Sequence, residues 1–226
     1  MSKLPRRHII CLISDRHRLA ALTPLPLPAF VGAAAHAGVD LIQIRERDLD
    51  ARPLASLVGD CLSTIRGTAA KLVVNDRADV ALAAGADGVH LRHDSIDAVQ
   101  IRNLASDRLD FIVGRSIHRA EEASPARTSA LDYLILGTMF STPSKHPVHP
   151  LMTMTGLAGA CAASDVPVLA IGGITLERAG EVVKAGAAGI AAIGMFLPPA
   201  GTAAAPHLRD VVRELRRVFD TCEAVS

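Results

Sequence analysis

The sequence predicts an α/β fold, a single (β/α)8 barrel spanning residues 1–226, and three observations carry that prediction. Short apolar, β-branched runs recur eight times, segments with helical spacing separate them, and half of the residues are hydrophobic while only 3% are aromatic. Strict alternation favours parallel β-α-β units. Parallel strands are buried on both faces, so they are filled by Val, Ile, Leu and Ala rather than by rings. A chain of 226 residues has room for one such barrel, usually about 250 residues, and little more.

The candidate strands occupy residues 8–14, 41–45, 71–75, 88–91, 111–116, 133–137, 167–171 and 189–193. Apolar runs of this length between turn residues read as strands. Residues 53–66, 95–104, 175–185 and 203–219 have helical spacing, and in the last the apolar residues form one stripe. Gly85 in Ala83-Ala84-Gly85-Ala86 and Gly186 in Lys184-Ala185-Gly186-Ala187 read as helix C-caps. AGADGVHL and AGAAGIAAI then represent one structural unit used twice. Two connections break the rhythm: proline-rich residues 23–28 after the first strand, and residues 138–155 after the sixth. The second carries Thr, Ser, Lys and His and is expected to act as a mobile lid. A doubly wound open sheet has the same alternation, but eight strands and no GxGxxG after the first favour the closed TIM barrel.

The 24 basic and 23 acidic residues are spread without long runs of one sign, which argues against a nucleic-acid partner. No apolar stretch reaches the roughly 18 residues of a bilayer span. Arg6 and Arg7 precede only a short strand, so neither a membrane span nor a signal peptide is expected. Cys11, Cys61, Cys161 and Cys222 lack the spacing of a zinc or redox motif. Reduced, packed thiols and a cytoplasmic location follow as expectations.

Barrel active sites are assembled at the carboxyl ends of the strands. The second strand ends in Gln43-Ile44-Arg45-Glu46-Arg47, where a period of two puts Gln43, Arg45 and Arg47 on one side and Ile44 on the other. Guanidinium groups there call for a phosphate or carboxylate ligand, or else an internal salt bridge to Glu46 or Asp48. The third strand ends in Asn75-Asp76-Arg77, able to hold magnesium or a substrate amine, or to cap a helix. After Gly114-Arg115-Ser116-Ile117 comes His118, with Glu121 and Glu122 in the next helical turn. His118 is either a proton carrier near neutrality or a solvated residue at a helix start. Ile171-Gly172-Gly173-Ile174 precedes a helix beginning near Thr175, and Ile193-Gly194 ends the eighth strand. Backbone amides freed of side-chain bulk suit a phosphate there, although tight turning alone also explains the glycines. His146 and His149, like His90 and His93, have poor geometry for a metal pair.

QIRER, VVNDRADVALAAGADGVHL, GRSIHRAEEA, LGTMFSTPSK and VLAIGGIT, in this order and over nearly the whole chain, resemble the thiamine phosphate synthase and thiazole tautomerase superfamily. For a synthase member the resemblance implies a barrel that joins a pyrimidine pyrophosphate to a thiazole phosphate with magnesium. Pyrophosphate is released and thiamine phosphate formed. By that resemblance Gln43, Arg45, Arg47, Asn75 and Lys145 match pyrophosphate- or pyrimidine-contacting positions, and Asp76 matches a metal ligand. Ser116, Thr142 and Ser144 align with substrate-contacting hydroxyls, and Gly172 and Gly173 with the thiazole-phosphate loop.

Three positions depart from the synthase pattern. The second magnesium carboxylate, five residues after the histidine of GVHL, falls on Ser95, and Asp94 is one residue out of register. Arg47 stands where synthases usually have lysine, and Gly194 where they usually have serine beside the phosphate. IRER followed by GRSIH instead resembles the tautomerase branch, whose histidine after the fifth strand moves the proton that aromatises the thiazole ring. The expected function is therefore a thiazole tautomerase-like isomerase acting, without cofactor, on a carboxylated thiazole phosphate. His118 would shuttle the proton, Arg45 steady the carboxylate, and Gly172, Gly173, Ile193 and Gly194 hold the phosphate. A magnesium-dependent synthase, which is a transferase, and a non-catalytic thiazole phosphate binder are the alternatives. The expected partner is the small thiazole phosphate, without nucleic acid or membrane, and a homodimer is left open.

Overall fold

The apolar runs form strands because no side of them can be left in water, and a sheet covered on both faces buries every residue. The protein is described by a computed structural model covering residues 3–5, 8–141 and 150–223. The first half of the chain runs β1 (Ile9–Ile13), α1 (Arg16–Ala20), α2 (Leu27–Ala37), β2 (Leu41–Ile44), α3 (Ala51–Ile65), β3 (Lys71–Asn75), α4 (Ala78–Ala84) and β4 (Gly88–Leu91). The second half runs α5 (Ala98–Leu104), β5 (Ile112–Ile117), α6 (Pro125–Thr128), β6 (Tyr133–Leu136), α7 (Met154–Ala163), β7 (Val168–Ile171), α8 (Leu176–Lys184), β8 (Gly189–Ala192) and α9 (Ala204–Glu223). The strands are parallel and close in sequence order. Closure is made by β1 against β8, with Ile9 opposite Gly189 and Leu12 opposite Ala192, which excludes the open doubly wound sheet.

Each expected strand is present with its ends moved by at most one residue. Side chains alternate as the pleat requires: Ile9, Cys11 and Ile13 fill the barrel interior while Ile10 and Leu12 pack under the helices. The proline-rich connection is shorter than expected. Pro26 caps α2 and Pro28 sits in its first turn, where a missing N–H costs no hydrogen bond. Helix α5 starts at Ala98, later than its spacing suggests, because the Asp97 carboxylate accepts from the Val99 amide at 2.8 Å and sets the cap there. Gly85 caps α4 as expected, whereas α8 is capped by Ala185, with Gly186 one residue beyond at φ 101°.

The amino ends of the strands share a device that local patterning did not single out. Asp40, Asp87 and Asp132 each accept from a neighbouring strand's amide, at Ile10, Leu72 and Val113, over 2.7–2.8 Å. A cation neutralises each: Arg216 on Asp40 at 2.8 Å, Lys71 on Asp87 at 3.0 Å and Arg102 on Asp132 at 2.6 Å. All four cysteines are free, and burial raises the thiols of Cys11, Cys61 and Cys161 above their ordinary value, which leaves them inert packing groups. Among the described residues no helix is long and apolar enough to cross a membrane.

Candidate active site at the carboxyl ends of the strands

On the β2–β4 side, Gln43 is 2% exposed and its amide donates to Asn75 Oδ1 at 2.9 Å. Its own Oε1 is buried without a hydrogen-bond partner among the described residues, an acceptor left for a ligand donor. Arg45 is half-buried and makes no ion pair among the described residues. Burial lowers its pKa from the ordinary guanidinium value, and the charges of Arg47 and Arg92 push the same way. The salt bridge offered by Glu46 and Asp48 goes instead to Arg16, at 3.2 and 2.6 Å. Asp15 and Glu46 offset this only in part and from a distance, so Arg45 keeps a guanidinium without a direct ion-pair partner among the described residues, a condition that an anionic ligand relieves.

Arg47 does not share the side of Gln43. The strand stops at Ile44, so the period of two no longer governs Arg47, which lines a cavity of about 190 Å3 with Ile44, Asn75, Asp76 and Arg92. Asp76 is held at φ 63°, a left-handed conformation that a non-glycine residue keeps only where its surroundings enforce it. It does not cap α4, whose N-cap is Arg77. Ser95 Oγ donates to Asp76 Oδ1, and an Arg92 nitrogen lies 3.6 Å from Oδ2. The serine at the position of the family's second carboxylate thus touches the first one. Asp94, exposed and paired with Arg92 at 2.6 Å, does not take its place. Among the described residues no group of three or more His, Cys, Asp or Glu could hold a metal by itself.

His90, whose spacing from His93 suits no metal pair, has a structural role that the spacing does not signal. It is 1% exposed, with Nδ1 2.9 Å from the Tyr133 hydroxyl and Nε2 2.8 Å from Ser116 Oγ. Burial first, then Arg115 and Arg45, push its pKa down to about 3, so it is neutral and fixes Ser116 at the rim. Gly114 makes room for this strut, since a Cβ there would overlap the Tyr133 ring. His118 lies just past β5, half-buried, with Nδ1 2.7 Å from the Gly137 carbonyl oxygen and its ring edge-on to His93 at 5.0 Å.

Beyond Gly137 the chain crosses to the other half of the mouth. A Cβ on Gly172 would lie 2.5 Å from Thr138 Cγ2, and one on Gly173 2.8 Å from Phe140 Cβ, so only glycine lets the loop after β6 lie flush on these turns. Both glycines also have positive φ, 103° and 61°. Arg178 donates to the Gly173 carbonyl at 2.8 Å and stacks 4.5 Å over the Phe140 ring, securing the approach to α8. Gly172, Gly173, Ile193 and Gly194, the expected phosphate residues, line one cavity of about 690 Å3 together with Thr138, Thr175 and Arg18. Arg18 and Arg178 were not among the expected residues, because nothing local to either marks a ligand. The expected lid is tied at both ends, by Met139 N to Ile171 O at 2.9 Å and Met152 N to Thr138 O at 2.8 Å. Thr142, Ser144, Lys145, His146 and His149 lie outside the described residues. Another cavity, of about 510 Å3, opens at the amino ends near His8, Asp165 and Lys184, the face that barrels reserve for stability.

Comparison with known proteins bears on the chemistry. The sequence model of the thiamine monophosphate synthase family matches residues 10–196. A thiamine-phosphate synthase of Roseiflexus castenholzii is 37% identical over 209 residues, 92% of this chain and 90% of that one. One from Chlorobium luteolum is 33% identical over 220 residues, 97% of each chain. The solved structure of a thiamine phosphate pyrophosphorylase from Pyrococcus furiosus superposes with a TM-score of 0.78 at 30% identity, covering 98% of both chains. These likenesses overturn the tautomerase expectation, since the relatives are named as synthases. Ser95 in place of a second carboxylate is compatible with a synthase, because magnesium often takes only one or two protein carboxylates and completes its shell with phosphate oxygens and water.

Proposed function

The chain belongs to the thiamine monophosphate synthase family, and on that premise we propose that it couples a pyrimidine pyrophosphate to a thiazole phosphate, with magnesium, releasing pyrophosphate and forming thiamine phosphate. The observation that supports the reading is a mouth with two unlike halves: Arg45 and Arg47, neither with an ion-pair partner among the described residues, on the β2–β4 side, and side-chain-free turns on the β7–β8 side. In a closed ring of eight strands β3 and β7 face each other, so two phosphorylated substrates meet over the centre.

In this reading Arg45 and Arg47 grip the pyrophosphate and oppose the charge that grows as its bond to the pyrimidine methylene breaks and a bond to the thiazole nitrogen forms. Gln43 and Asn75 orient the pyrimidine, with Gln43 Oε1 accepting from a ring amine. Ser116, held by neutral His90, contacts substrate, and Thr142, Ser144 and Lys145 match substrate-contacting positions by the family resemblance alone. Amides of Gly172, Gly173 and Gly194 bind the thiazole phosphate. Asp76, with the Ser95 hydroxyl against it, would be the carboxylate that holds a magnesium ion, an ion that commonly needs only one or two protein carboxylates. Once bound, the ion would neutralise charge on the departing pyrophosphate.

Incubating the enzyme with both phosphorylated partners and magnesium should release pyrophosphate and yield thiamine phosphate in equal amounts. No pyrophosphate at high enzyme concentration would remove the coupling reading.

A further inference from the structure

Two residues past β8 stands Gly194, where the family resemblance expects a serine hydroxyl beside the phosphate, and the space is not empty. A Cβ on Gly194 would stand 3.2 Å from a terminal nitrogen of Arg18. Because β1 and β8 are paired neighbours, the segment following β1 overhangs the end of β8. Helix α1 is fixed there by the Asp15 carboxylate, which accepts from the Arg18 amide at 3.0 Å, and by buried Leu19. The Arg18 guanidinium thereby enters the cavity of Gly172, Gly173 and Gly194. Its neighbour Arg16 is saturated by Glu46 and Asp48, whereas no carboxylate pairs with Arg18 among the described residues. Among the described residues the one acidic side chain lining that cavity is Glu177.

We propose that Arg18 is a phosphate ligand that replaces the missing hydroxyl at position 194 and makes this subsite selective for the phosphorylated thiazole. The inference rests on the coupling reading for the identity of the ligand. Physically, a planar guanidinium offers two parallel donors to a phosphate, and Gly194 is the residue that leaves it room. Serine at 194 and arginine at 18 are then alternative donors to the same phosphate, and a side chain at 194 requires the guanidinium to move by a few tenths of an ångström.

Calorimetric titration with thiazole phosphate and with its dephosphorylated alcohol tests this, with circular dichroism melts to establish that each variant is folded. Arg18→Ala should lose about 10- to 100-fold affinity for the phosphate ester and leave the alcohol unchanged. Arg18→Lys should recover part of the loss, and so should Arg18→Ala combined with Gly194→Ser. Equal loss for ester and alcohol, or Arg18→Ala binding the ester as tightly as the parent, overturns the proposal. If the parent protein binds thiazole phosphate but releases no pyrophosphate, the coupling reading falls and Arg18 stands; if it does not bind thiazole phosphate, both fall.

Discussion

His90 has both ring nitrogens engaged by hydroxyls in a site without exposure, so it enters the folded state neutral. An unfolded chain takes up the proton below about 6.5, while the folded one resists until about 3. Stability from this group is therefore complete above pH 6.5 and is lost as pH falls towards 3, at about 1.4 kcal/mol per pH unit. His90→Gln should flatten the fall in melting temperature between pH 6 and 4 compared with the parent protein, and an identical slope would refute the assignment. Position 90 was legible as polar and near a strand end. Its partners Tyr133 and Ser116 were not, because they lie on other strands.

At the scale of the element, apolar runs alone placed all eight strands, since a strand buried on both faces is a local property of composition. The aspartates at the strand entrances each precede a run directly, in Val39-Asp40-Leu41, Ala86-Asp87-Gly88 and Leu131-Asp132-Tyr133. The repeat was visible; that each carboxylate serves the adjacent strand was not. Asp132→Ala strips the acceptor from the Val113 amide and from Arg102 together. It should cost about 2–4 kcal/mol in urea denaturation. The coupling rate should remain near that of the parent, because the carboxylate sits at the end of the barrel remote from the mouth. A large fall in the rate with unchanged stability would contradict that division of labour.

For the whole molecule, closure sets the two proposed anion sites apart on one rim, so inorganic pyrophosphate and thiazole phosphate should bind together rather than compete. Titrating thiazole phosphate into protein saturated with pyrophosphate and magnesium should give an affinity within about threefold of that without it. Mutual exclusion would place both anions in one cradle. The amino acids by themselves determined the barrel, its strand ends, and the glycine turns and basic residues of the mouth, because period and burial are carried by neighbouring residues. Only the tertiary structure decided that Arg16 takes Glu46 and Asp48, that Ser95 meets Asp76, that Arg47 turns toward the cavity lined by Ile44, and that Arg18 reaches Gly194. Such meetings depend on where the ring closes and how each loop leaves its strand, and the spacing along the chain encodes neither.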